Sequence, residues 1–175
     1  FNIVSAPQYV IAGDSNLLVL DFTPLSSGTR EAVLNIQSND VDESVYIINI
    51  YGVGGNLATE PNSQATNMSF SDVKTYRITS IFTPADSVDG FLVLRKKGSP
   101  ITSVPSDGIV YQRGDIIGDA QVVFSDYQNN FSPNNIVANS NYYFSVFSYN
   151  GPGNFRNYLT SLPLSGSIVT PSTMM

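Results

Sequence analysis

The chain reads as an all-β protein built of sandwiched sheets, and three observations carry that prediction. Short runs rich in Val, Ile, Thr, Tyr and Phe recur along its 175 residues, several of them alternating apolar with polar at a period of two. Turn formers stand between the runs, with thirteen Gly and ten Pro in the chain. No stretch shows the 3.6-residue periodicity of an amphipathic helix.

Taken in order, the runs predict strands at 2–4, 9–12, 17–22, 31–37 and 44–51. The last two are the clearest. Ala32-Val33-Leu34-Asn35-Ile36 and Val45-Tyr46-Ile47-Ile48-Asn49-Ile50 flank a polar, acidic tip at Ser38 to Ser44, the pattern of a β-hairpin. The alternation stops at Gly52-Val-Gly-Gly55, where Gly, Pro, Asn and Ser take over. A first domain is therefore placed at 1–54, a linker at 55–62 and a second domain at 63–170. Residues 171–175, Pro-Ser-Thr-Met-Met, read as a tail or linker. Strands of the second domain are predicted at 66–70, 74–82, 89–96, 108–112, 120–125, 141–149 and 164–169. Turn signals separate them at Pro84, Gly98, Pro105, Gly114, Pro133 and Gly151. Seven strands suffice for a complete sandwich, whereas 54 residues are about half of one. The first domain is thus expected to be partial, with an unpaired edge and an apolar face that seeks cover from the second domain or from another copy of the chain, as a homodimer.

Composition removes many functions. The chain has no His, Cys or Trp, so Ser-His-Asp and Cys-His catalysis and the usual zinc sites are excluded, as are disulfides. No apolar run approaches the roughly 18 residues of a spanning helix, so membrane insertion is not expected. The net charge is −6, and residues 1–55 hold Asp14, Asp21, Glu31, Asp40, Asp42 and Glu43 against Arg30 alone. Such a surface repels nucleic acid. Phe1-Asn-Ile-Val4 lacks an initiator Met and a signal-type apolar core, so the sequence reads as part of something longer.

Residues 1–54 resemble the C-terminal half of the abnormal-spindle/Hydin-type immunoglobulin-like domain, through Phe22-Thr-Pro24, Gly28-Thr-Arg30, Ser38-Asn-Asp40, Asp42-Glu43 and Gly52-Val-Gly54. Residues 60–170 resemble a bacterial fibronectin type III-like domain, through Asp89-Gly-Phe-Leu-Val-Leu-Arg95, Pro105-Ser-Asp-Gly-Ile-Val-Tyr111, the run from Tyr142 to Tyr149, and Asn157-Tyr158. That second pattern usually carries a Trp where Ile81-Phe82 stands, so Phe is expected to fill the core there. The resemblance implies immunoglobulin-like β-sandwiches, one partial and one complete. It also implies a non-catalytic segment of a larger secreted or surface bacterial protein, a spacer or protein-interaction module whose partners are other domains of the same protein or cell-surface proteins.

Four groups of residues invite a sharper reading. Asp40, Asp42 and Glu43 form the densest oxygen cluster and could contribute to Ca²⁺ binding, although the EF-hand spacing is missing and a solvated turn explains them equally. Arg113-Gly-Asp115 spells an integrin-type tripeptide that ordinary turn chemistry also produces. In the run from Tyr142 to Tyr149, Tyr142, Phe144 and Val146 fall on one face as core, with Tyr142 set to form a tyrosine corner. Tyr143, Phe147 and Tyr149 fall on the other, where an outward aromatic row could stack on a glycan or pack within the sheet. This would be a carbohydrate-binding or adhesion module targeting an attached enzyme. Asp86, Asp89, Asp107, Asp115 and Asp119 could supply an acid/base pair for glycoside hydrolysis, but each lies in a predicted turn.

Overall fold

Among the described residues, the strands of the first third form two antiparallel ladders. The computed structural model describes residues 1–24 and 27–173, and its chain divides into two compact units, Phe1–Asn56 and Leu57–Met175. In the first, β1 (Asn2–Ser5) pairs antiparallel with β2 (Val19–Asp21), and β3 (Gly28–Gln37) with β4 (Val45–Gly54). The β3–β4 ladder runs without a slip from Gly28 opposite Gly54 to Gln37 opposite Val45, and Ser38 N–H closes its tip on Ser44 C=O at 2.9 Å. Phe1 and Phe22 stack at 4.5 Å, and the Phe22 ring lies across Gly52, leaving no room there for a Cβ.

The strand predicted at 9–12 does not form. Asp14 N–H bonds Ile11 C=O at 3.0 Å and Gly13 adopts φ +83°, so this apolar run turns back on itself. Among the described residues of this unit, no hydrophobic side chain is fully buried. Ile48 and Tyr46 on one face of the hairpin, and Ile47, Tyr51 and Val53 on the other, are all exposed, the last three and Tyr46 by more than half. These side chains form the apolar face expected from sequence.

The second unit is a two-sheet sandwich. Its strands are β5 (Thr66–Lys74), β6 (Arg77–Thr83), β7 (Gly90–Lys97), β8 (Ile116–Ile117), β9 (Ala120–Asp126), β10 (Asn130–Phe131), β11 (Asn141–Asn150), β12 (Asn157–Tyr158) and β13 (Leu164–Val169). One sheet has the order β10-β6-β5; the other has β12-β11-β7-β9-β8, with β13 also on β11. Between the sheets lie Ile78, Phe82, Phe91, Val93, Phe131, Tyr142, Phe144 and Val146. Phe82 takes the core place anticipated for it, edge-on to Phe91 at 4.9 Å. Burying each such side chain is worth about 1.5–3 kcal/mol, so this layer holds the unit together.

Two boundaries differ from the sequence reading. No strand forms at 108–112; residues 98–115 instead run as a loop across the outer face of the larger sheet. The predicted linker is also shorter, because residues 57–62 are tied to the second unit. Ala58 N–H bonds Phe155 C=O at 2.9 Å, while the amides of Asn157 and Asn150 donate to Ala58 C=O at 2.8 Å and Thr59 C=O at 2.9 Å. The tail at 171–175 extends to Met174 and Met175, outside the described residues. Among the described residues no helix is long and apolar enough to cross a membrane.

Candidate functional site

The outer face of β11 is where sequence places an aromatic row, and the structure closes most of it. Phe147 and Tyr149 are buried, 1% and 5% exposed, against Leu92, Leu94, Val122 and Tyr158. The cover comes from the loop at 98–115, which sets Ile101 and Tyr111 over them, and from β12. Phe147 and Tyr149 are thus corrected from ligand platform to second core. Period-two alternation does place them opposite Phe144, but a sheet can be covered on both faces.

Hydrogen bonds fasten this cover. Tyr158 N–H bonds the Asp107 carboxylate at 2.7 Å, and the Tyr158 hydroxyl donates to Ile109 C=O at 2.9 Å. The Tyr111 hydroxyl accepts Ser106 N–H at 3.1 Å, and Gly108 N–H bonds Arg156 C=O at 2.8 Å. The Arg156 guanidinium sits 4.2 Å over the Tyr149 ring. Burial pushes the phenols of Tyr149 and Tyr158 above the ordinary tyrosine value, as expected of groups held away from water.

Tyr143 alone of the row keeps partial exposure. Its hydroxyl accepts from the Asn141 amide at 2.9 Å. Beside it lies a cavity of about 310 Å³ lined by Pro100, Ile101, Ser145, Ser165 and Ser167. The register sets Tyr143 opposite Ser167 and Ser145 opposite Ser165 on the same outer face, so one aromatic ring borders three hydroxyls.

The turn carboxylates do not converge as an acid/base pair. Asp89 accepts Gly151 N–H at 2.7 Å, Asp107 accepts Tyr158 N–H, and Asp115 accepts Gln112 N–H at 2.7 Å. Asp119 binds Lys96 Nζ and accepts the Ser103 hydroxyl at 2.6 Å. The Lys96 hydrogen bond, then that of Ser103, holds the Asp119 carboxyl well below the usual carboxylate range.

Arg113-Gly-Asp115 is likewise engaged. Arg113 donates to Val123 C=O at 2.8 Å and Ser132 C=O at 2.6 Å, and Asp115 N–H returns to Gln112 C=O at 3.1 Å. At the hairpin tip, Asp40 N–H bonds the Ser38 hydroxyl at 3.1 Å, and Asp42 N–H reaches the Asp40 carboxylate at 3.5 Å; a side-chain hydrogen bond with Asp42, and then this backbone one, lower the Asp40 pKa. Among the described residues, Asp40, Asp42 and Glu43 are not brought together as a metal-holding group, so the Ca²⁺ expectation gains no geometry. An Asx-type turn accounts for these residues.

No protein-family model matches the chain, and no curated protein does. Among solved structures, a computationally redesigned β-sandwich protein is similar at 16% identity and a TM-score of 0.45, over 65% of this chain and 94% of its own. A fibronectin type III domain derived from the human KIAA0970 protein is 13% identical, with a TM-score of 0.43, over 65% and 77%. The FN1–FN3 domains of chicken CNTN1 are 14% identical, with a TM-score of 0.45, over 89% of this chain and 47% of that one. The chain is an all-β protein, and its second unit is a two-sheet β-sandwich with its core between the sheets.

Proposed function

We propose that the chain is a non-catalytic β-sandwich segment of a larger secreted or surface bacterial protein, serving as spacer or protein-interaction module. The observation that carries this is the double cover of the larger sheet. The face that could have carried a binding row is filled by Phe147, Tyr149 and the loop above them, and the turn carboxylates Asp89, Asp107, Asp115 and Asp119 hold backbone or neighbouring side chains. Such a unit contributes length and rigidity rather than chemistry. The abnormal-spindle/Hydin-like pattern at 1–54 adds the export context, with other domains of the same protein or surface proteins as partners. Replacing residues 57–170 in the parent protein by an unrelated fibronectin type III-like sandwich tests it. Retained parent activity is the expected result, and a loss not restored by adjusting length would overturn the reading.

A second reading rests on Tyr143. An aromatic ring beside the hydroxyls of Ser145, Ser165 and Ser167, in a cavity at the small end of the ligand-site range, suits one neutral sugar ring. Glycan-array signal abolished by Tyr143→Ala would favour a carbohydrate-binding or adhesion module over a spacer.

A further inference from the structure

The chain is acidic, yet four of its eight Lys and Arg residues, Arg95, Lys96, Lys97 and Arg113, line one region at the end of β7 and the turn before β8. Only one of the four has a carboxylate partner among the described residues: Lys96, with Asp119. Arg95 donates to Asn134 C=O and, at 2.8 Å, to the Gln121 side-chain carbonyl. Arg113 donates to the carbonyls of Val123 and Ser132. These acceptors are neutral. The Asp115 carboxylate, next but one to Arg113 in the chain, is turned onto Gln112 N–H instead.

The result is positive charge that is fixed and uncompensated. Each guanidinium spends two donors on carbonyls that lock its plane and keeps the rest of its fork for another acceptor. Arg95 also lies 5.5 Å over the Tyr142 ring. Burial pushes its guanidinium below the ordinary value; Tyr142 opposes that shift and the neighbouring charge of Arg113 reinforces it. Half-burying a cation without a counter-ion is costly, and an anion in the same place offsets the cost. There is space for one. A cavity of about 560 Å³ lined by Arg95, Lys97 and Tyr142, with the mutually paired Lys96 and Asp119 also in its wall, and another of about 210 Å³ lined by Arg113 share Gln121 and Asn135.

We propose that Arg95, Lys97 and Arg113 form an oxyanion site that takes a phosphate group, free or as a monoester. Two fixed guanidinium forks and an ammonium suit the several acceptor oxygens of a dianion better than one carboxylate. Lys97 closes the site as a mobile point charge, since it is exposed and has no ion pair among the described residues.

Titration calorimetry on the full chain at low ionic strength, with inorganic phosphate and with glycerol 3-phosphate, tests this against chloride at matched ionic strength. Saturable binding of phosphate beyond the chloride response is expected. Equal binding of the ester supports a site open to phosphorylated ligands, and much weaker ester binding supports the free ion. Lys97→Gln removes an exposed charge without touching a fixed hydrogen bond, so its melting midpoint without phosphate should not move. Its phosphate affinity should fall about tenfold, as should that of Arg113→Gln, the size of one lost charged hydrogen bond. No saturable response above chloride, or unchanged affinity in the Lys97→Gln, Arg113→Gln double variant, overturns the proposal.

Discussion

The Tyr142 hydroxyl accepts the backbone N–H of Val137 at 3.0 Å, five residues upstream. Tyr142 is 2% exposed and packs in the core between the sheets, so one side chain both fills the interior and fixes the loop that enters β11. Tyr142→Phe keeps the ring and strands a part-buried donor. The expected cost is about 1–3 kcal/mol, read as a lower denaturation midpoint with an unchanged slope.

Phe147 and Tyr143 should separate packing from recognition. Truncating Phe147 to Ala empties the second core and should destabilise the protein by about 3–5 kcal/mol. Tyr143→Ala, on a partly exposed side chain, should stay within about 0.5 kcal/mol. Chemical denaturation of the two variants checks both; equal costs would mean that the loop does not seal the sheet as described.

Asp119 sets an acid limb. Its folded pKa is depressed, chiefly by Lys96, so its contribution to stability is present above the ordinary value of 3.8 and is lost as pH falls below it. Asp119→Asn should therefore melt lower than the parent near neutral pH. That gap should narrow steadily below about pH 4. Melting curves across the range decide it, and a gap independent of pH would assign the loss to packing alone.

The open hairpin of β3 and β4 should drive self-association. Ile47 and Tyr51 project from one face and are 61% and 65% exposed. Sedimentation velocity should show average mass rising with concentration, and Ile47→Thr with Tyr51→Thr should shift the chain towards monomer. A monomer at every concentration would retire the homodimer.

Strands long enough to alternate were legible in sequence: β3, β4, β7, β9, β11 and β13 each lie within a few residues of a predicted run. The two-residue strands at 116–117, 130–131 and 157–158 carry no period and could not be seen that way. Ile109-Val-Tyr111 looked like a strand because a loop that must cover Phe147 and Tyr149 needs apolar residues of its own. The tyrosine corner was readable because Tyr142 follows its loop at a fixed offset. The basic groove was not, because a net charge of −6 conceals it and Arg113 lies far from Arg95 in sequence, although Arg95-Lys96-Lys97 was a signal available for notice.

The loop over the larger sheet is pinned on both sides of Val104. Before it, Pro100 C=O accepts from Lys96 and Ser103 is bonded to Asp119; after it, Asp107, Gly108 and Ile109 are bonded to Arg156 and Tyr158. Val104 itself is 48% exposed. A protease that cuts there nicks the chain without releasing either end. The two fragments should travel together under native conditions and part only in denaturant. The same position is therefore the place to graft a peptide or a reporter without opening the fold.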